Sequence, residues 1–183
     1  RPAAPVLFLK PDGAQLRNNQ PFYYPPHSQD VHHELEVVYR IAKPGKFIDP
    51  AFAWDYVDGI GLGIDFTARD VQARQKEKGL PWDIAKGFHQ SAPYSEMLPL
   101  ATFPDHSALG FALQVNGETR QQGTTADMLF SLPEILAYAS QFFLLKIGDL
   151  VYTGTPAGVG PVQVGDRLTA TLAGHQLLDF VVK

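Results

Sequence analysis

The sequence predicts a mainly β domain with α insertions, an α+β fold built from many short strands. Three observations point there. Two segments, HHELEVVYRIAK (32–43) and GFALQVNGETRQQG (110–123), carry strand patterns, the second around an Asn116-Gly117 hairpin turn. The 15 Pro and 16 Gly cut the chain into short pieces. Only two stretches, 68–79 and 132–143, have helix patterns with matching start or stop signals.

In chain order, VLFLK (6–10) reads as a short strand and 11–30 as a long irregular stretch rich in turn formers. HHELEVVYRIAK follows as the first strong strand and stops at Pro44-Gly45. FAWDYVDGIGLGIDFT (52–67) reads as a helical turn leading into a strand. The helix ARDVQARQKEKG (68–79) takes Thr67 as its N-cap and Asp70 as an acidic first-turn residue, and it ends at Gly79 before Pro81. From Trp82 to about residue 108 strands are scarce, with prolines at 93, 99 and 104. Ser131 and Glu134 form a capping box for the amphipathic helix LPEILAYASQFF (132–143). Gly-Asp turns at 148–149 and 165–166 bracket the short strands LVYTGT and DRLTATL, and QLLDFVV closes the chain.

The 183 residues are expected to form one domain, and a net charge of −4 leaves no basic footprint for nucleic acid or an anionic membrane. With no cysteine, disulfides, thiolate zinc sites and a Cys nucleophile are excluded, which is compatible with the cytoplasm. No run approaches the roughly 18 apolar residues of a membrane span. The first residues, RPAAPVLFLKP, carry neither an initiator Met nor a signal-peptide core, so the chain is expected to start inside a longer protein.

The chemistry concentrates in carboxylates. On a strand, Glu34 and Glu36 share a face, roughly 7 Å apart, and repel unless solvated or bridged by a cation. An exposed strand edge with ordinary surface glutamates is one reading of them. Asp65 in GLGIDFTARD adds a third carboxylate at a strand end, with Gly61 and Gly63 leaving room beside it. Three carboxylates suit a hard divalent ion such as Mg²⁺ and disfavour zinc or copper. A His-His-carboxylate site of cupin type competes, weakened because adjacent His32 and His33 point to opposite faces. The helix start offers Arg69, Asp70 and Gln72, and PWDIAKGF offers Lys86 in an apolar setting. TGTPAGVG (153–160) is a Gly-rich turn whose N–H groups and Thr155 could cradle an anion.

Taken together in order, HHELE, DFTARDVQ, GLPWDIAK, VNGE, QGTTADM and TGTPAGVGPV resemble the fumarylacetoacetate hydrolase family, from about Val6 to the C-terminus. The nearest branch holds acylpyruvate hydrolases and oxaloacetate decarboxylases. The resemblance implies a mixed β-sandwich roll of the C-terminal domain type over residues 1–183, a catalytic domain that assembles as a homodimer. It implies Mg²⁺, or Mn²⁺, on Glu34, Glu36 and Asp65, substrate contacts from Gln72, Lys86 and Thr155, and catalytic roles for Lys86 and Gln72. The implied reaction is C–C hydrolysis of a 2,4-dioxo acid to release pyruvate through an enolate. Oxaloacetate decarboxylation or 2-oxo acid tautomerisation on the same site is the alternative, and a non-catalytic metal-dependent binding relative a further one. One departure stands out: the lid segment of the family, with its His–Glu pair, precedes the strand matching VLFLKP. None of the histidines at 27, 32, 33, 89, 106 and 175 takes that place. The lid is therefore expected upstream of residue 1.

Overall fold

The computed structural model describes residues 2–183. Residues 6–10 join no ladder, against the strand expected there. Pro5 and Pro11 flank the segment and lack N–H donors, and the segment is tied down through its side chains instead. Within the irregular stretch 11–30, Gln15–Leu16 forms a short strand, β1.

The segment 32–43 is two strands, β2 (Val31–His33) and β3 (Leu35–Ile41), interrupted at Glu34. A 3-10 turn, Pro50–Tyr56, is capped by the Asp49 side chain and feeds β4 (Val57–Ile64). A two-residue strand, β5 (Thr67–Ala68), then leads into α1 (Arg69–Glu77). Ala68, not Thr67, is the N-cap of α1 and makes no side-chain cap. The Thr67 hydroxyl is drawn instead into the charged cluster described below. Gly79 adopts φ +63 just past the helix, as a C-terminal glycine should.

A short third helix, α2 (Asp83–Lys86), was not foreseen, and it places Lys86 at a helix end rather than in a loop. Strands β6 (Ala92–Pro93) and β7 (Leu98–Pro99) follow. Strands β8 (Gly110–Val115) and β9 (Glu118–Thr124) form the expected hairpin, with Asn116 at φ 54 and Gly117 at φ 82. Helix α3 (Leu132–Phe142) begins with the full Ser131–Glu134 capping box. The chain ends through β10 (Leu150–Tyr152), β11 (Gly160–Pro161), β12 (Arg167–Leu172) and β13 (His175–Val181).

Two four-stranded sheets, ordered β10-β3-β4-β7 and β13-β12-β8-β9, supply most of the structure. A three-stranded sheet β11-β2-β5 and the parallel pair β1-β6 extend it around the edge. The core between the layers is aliphatic and aromatic: Leu35, Ile60, Leu62, Ile64, Leu113, Leu168 and Leu172 are fully buried. Phe22 stacks on Phe66 at 4.0 Å between ring centroids.

Strand β3 is buried on both faces, not half-buried. Val37, Val38 and Tyr39 are each at most 1% exposed. Its partner β4 pairs in register from Leu35 opposite Ile64 down to Arg40 opposite Gly59. β10 and β7 cover the outer edges of that pair, and Glu36 on β3 lies inside the protein while Arg40 reaches its surface.

Candidate active site

Glu34, Glu36 and Asp65 come together at the end of the β3–β4 ladder. Glu34 sits at the break before β3, where its carbonyl accepts from the Asp65 N–H at 2.8 Å. Each of the three offers a carboxylate oxygen within 4.8 Å of the others. They are 9%, 5% and 1% exposed, which removes the surface-glutamate reading. Such a buried charge must be paired.

The cations that pair it come from three elements. Lys86 Nζ, at the end of α2, donates to Glu34 Oε2 at 2.9 Å, Asp65 Oδ2 at 2.6 Å and Thr67 Oγ1 at 2.6 Å. Arg69 at the start of α1 donates to Glu34 Oε1 at 2.6 Å and to Gln72 Oε1 at 2.8 Å. Lys10 Nζ lies 2.7 Å from Asp65 Oδ1. Thr67 Oγ1 donates to Glu34 Oε1, so it relays between Lys86 and that carboxylate.

Glu36 is treated differently. Its one bond is from the Gly154 N–H to Oε2, at 2.6 Å. Burial, then the charges of Asp65 and Glu34, push its pKa up to about 8, against the pull of Gly154 and Lys86. Burial also opposes ionisation of Glu34, but Lys86 and Arg69 outweigh it and hold that carboxyl below its usual value.

A divalent cation fits this arrangement. Three buried carboxylates converge, and among the described residues the hydrogen bond to Glu36 comes from a backbone N–H and not from a cation. An all-oxygen donor set of this kind matches a hard ion such as Mg²⁺ or Mn²⁺. The cupin-type alternative has no geometric support. His32 pairs with Asp30 and His33 with Gln121, and neither joins the carboxylate group.

Gly61 and Gly63 play another part than leaving room for an ion. A Cβ on Gly63 would lie 2.4 Å from Tyr152 Cε1, and one on Gly61 2.7 Å from Ser95 Oγ. The glycines let Tyr152 and the 95–97 segment pack directly on β4.

Gln72 is buried at the first turn of α1 beside Arg69. Asp70 turns away to accept from Ser28 Oγ at 2.6 Å. The TGTP turn holds the platform more than it leaves an open cradle. Gly154 supports Glu36, Thr153 Oγ1 donates to Val37 O, and Thr155 Oγ1 donates to Leu35 O at 2.8 Å. With that hydroxyl proton committed, the donor left to Thr155 is its backbone N–H.

Gln121, on β9, belongs to the site although no sequence motif marks it. Its Oε1 accepts from His33 Nδ1 and Leu35 N, and its Nε2 donates to Thr155 Oγ1 and Pro156 O. Because Nε2 faces the Pro156 carbonyl, Oε1 must face His33, so His33 carries its proton on Nδ1. Burial holds this histidine below its ordinary pKa. One side chain thus ties the β3 start to the TGTP turn. The available signal was its position opposite core Leu113 in the hairpin.

A rolled β scaffold carries a buried carboxylate trio with a lysine embedded in it. Comparison with known proteins gives the family: the chain belongs to the fumarylacetoacetate hydrolase family, whose C-terminal domain matches residues 1–182. It is 46% identical over 179 residues to the oxaloacetate tautomerase FAHD1, mitochondrial, of Mus musculus, covering 98% of this chain and 81% of that one. It is 45% identical to the oxaloacetate tautomerase YcgM of Escherichia coli, over 99% of this chain and 83% of that one. Among solved structures, fumarylpyruvate hydrolase from Pseudomonas aeruginosa in complex with Mn²⁺ and pyruvate matches with a TM-score of 0.91 at 37% identity, over 96% of this chain and 77% of that one.

Proposed function

We propose that this protein is a divalent-metal-dependent enzyme acting on 2-oxo acids, and that it interconverts the enol and keto forms of oxaloacetate. The observation that carries this is the buried trio Glu34, Glu36 and Asp65 with Lys86 bridging two of its members. The family resemblance placed C–C hydrolysis first and tautomerisation among its alternatives. The names of the mouse and E. coli relatives support the opposite order. Hydrolysis of a fumarylpyruvate-type substrate is the second reading, favoured by the P. aeruginosa neighbour.

Mg²⁺, or Mn²⁺, would be held by Glu34, Glu36 and Asp65, and when bound would supply Lewis-acid polarisation of a 2-oxo carbonyl. This chain's own residues do the rest. Lys86 Nζ fixes a positive charge where negative charge develops on the C2 oxygen as the C3 proton leaves. Arg69 takes the oxygen of Gln72, so the Gln72 amide N–H groups are free to orient a substrate carboxylate. The Thr155 backbone N–H serves the same carboxylate end. The Phe8 ring lies over Lys86 Nζ, its centroid 5.0 Å from it, and covers one side of that charge.

A homodimer is the expected assembly. Support comes from an exposed apolar face around the end of α3, with Phe47, Phe142, Leu144 and Ile147 each more than half exposed. Among the described residues no helix is long and apolar enough to cross a membrane. The cytoplasmic location rests on the cysteine-free sequence alone, and the mouse relative is mitochondrial.

A substrate panel separates the readings. With Mn²⁺ present, enol oxaloacetate, acetylpyruvate and fumarylpyruvate are each supplied at equal concentration. The proposal expects oxaloacetate tautomerisation to exceed release of pyruvate from either dioxo acid by at least tenfold. Faster pyruvate release would move the assignment to the hydrolase.

A further inference from the structure

The contacts of Lys10 have no counterpart in the reaction chemistry above. It sits on the segment 6–10, and its side chain is only 12% exposed. Its ammonium reaches four groups besides Asp65: Ser91 O at 3.0 Å, Ser91 Oγ at 3.1 Å, Phe66 O at 3.4 Å and the Lys86 carbonyl. These acceptors are themselves linked. Ser91 Oγ donates to Lys86 O at 2.7 Å, and Phe66 N donates to Ser91 O at 2.9 Å. An ammonium has three N–H groups, so carbonyl and hydroxyl acceptors use all of them. Lys10 therefore has no proton to spare for a substrate, and its ammonium forms an ion pair with Asp65 Oδ1 at 2.7 Å.

Asp65 thus stands between two lysines, Lys10 at Oδ1 and Lys86 at Oδ2. Lys86 must also reach Glu34 Oε2, at 2.9 Å. Without Lys10, Asp65 would have Lys86 as its sole close counter-charge and would draw it from Glu34. The same segment adds Phe8, whose ring centroid lies 5.0 Å from Lys86 Nζ and which leans on Trp82.

We propose that Lys10 is a positioning residue of the carboxylate site: its ammonium is the fixed counter-charge of Asp65 and knots residues 65–66, 86 and 91 into one frame. Resting on the reading of the trio as a metal site, the proposal assigns to residues 8–10 the task of holding Asp65 and Lys86 in place. Outer-shell partners of this kind set metal affinity as well as activity.

The test uses the absence of any other cysteine in the chain. Lys10→Cys is alkylated in denaturant either with 2-bromoethylamine, which rebuilds an ammonium of lysine length, or with a propyl halide, its neutral counterpart. Each form is refolded and titrated with Mn²⁺ by calorimetry beside the wild type. The aminoethyl form is expected to bind within about threefold of wild type, and the propyl form about 10–100-fold more weakly. Equal affinities of the two alkylated forms would overturn the role of Lys10 and leave the metal reading intact. A wild type that binds no Mn²⁺ overturns the metal reading and the proposal with it. Should the alkylated forms not refold, Lys10→Met and Ser91→Ala, produced in cells, carry the test. Both should bind Mn²⁺ more weakly than wild type, Lys10→Met by the larger factor, and wild-type affinity in Lys10→Met would overturn the proposal.

Discussion

Glu36 is the carboxylate of the trio whose charge the protein compensates least. It is buried, faces two other carboxylates and has a single backbone N–H for support, so without a cation its folded-state pKa rises to about 8. A pKa above the unfolded value of about 4.5 means that the folded state holds the extra proton. The resulting stability is fully present below that value and is lost as pH rises through about 8. The urea midpoint of metal-free protein should therefore fall between pH 5 and pH 9, and this fall should be much smaller in Glu36→Gln. Glu34, shifted the opposite way, contributes stability that is lost only as pH falls through its lowered pKa, so the two windows separate. Thr155 gives a second residue-scale prediction. Thr155→Val keeps the shape but takes the donor from the Leu35 carbonyl and one of two acceptors from the Gln121 amide, which should cost about 1–3 kcal/mol in denaturant unfolding. Glu34, Glu36 and Asp65 were legible because paired acids inside an apolar run stand out in a sequence. Lys10 was not, because nothing local shows that its side chain leaves the segment to meet Asp65.

At the scale of elements, local signals and tertiary demands divide cleanly. The Ser131–Glu134 capping box, the Asn116-Gly117 turn and the Gly79 helix end are short-range chemistry, and each formed where its residues call for it. Thr67 has the side chain of an N-cap, yet Lys86 and Glu34 claim its hydroxyl, because leaving buried charges unpaired costs more than leaving one helix uncapped. The strand expected at 6–10 failed for a related reason: its strongest contacts are side-chain contacts to the site. The β3–β4 pair depends on Gly63 in a way that sequence alone misassigned. Gly63→Ala should destabilise the protein by about 1–3 kcal/mol, since the new methyl meets Tyr152 and Val38 below 3 Å. Adding Tyr152→Ala should cost less in that background than in wild type, and a double-mutant cycle by urea denaturation reads the difference.

Across the whole molecule, the fold class followed from strand and turn density, while the division into four sheets did not. Short strands such as β5, β6 and β11 exist because they wrap the site and the sheet edges, and two residues carry no periodicity to read. The exposed apolar face near the end of α3 bears on assembly. If it is the dimer contact, Phe142→Glu combined with Ile147→Glu should halve the mass seen by light scattering while leaving the folded spectrum intact. The proposed role of a cation on the carboxylate trio is to prepare a 2-oxo acid for proton transfer at C3. Its most direct test is the decay of enol oxaloacetate, followed by ultraviolet absorbance with the metal-loaded protein, with EDTA-treated protein and with Glu36→Gln. Fast decay is expected in the first case and a loss of at least about 100-fold in the other two. Equal rates in all three would contradict it.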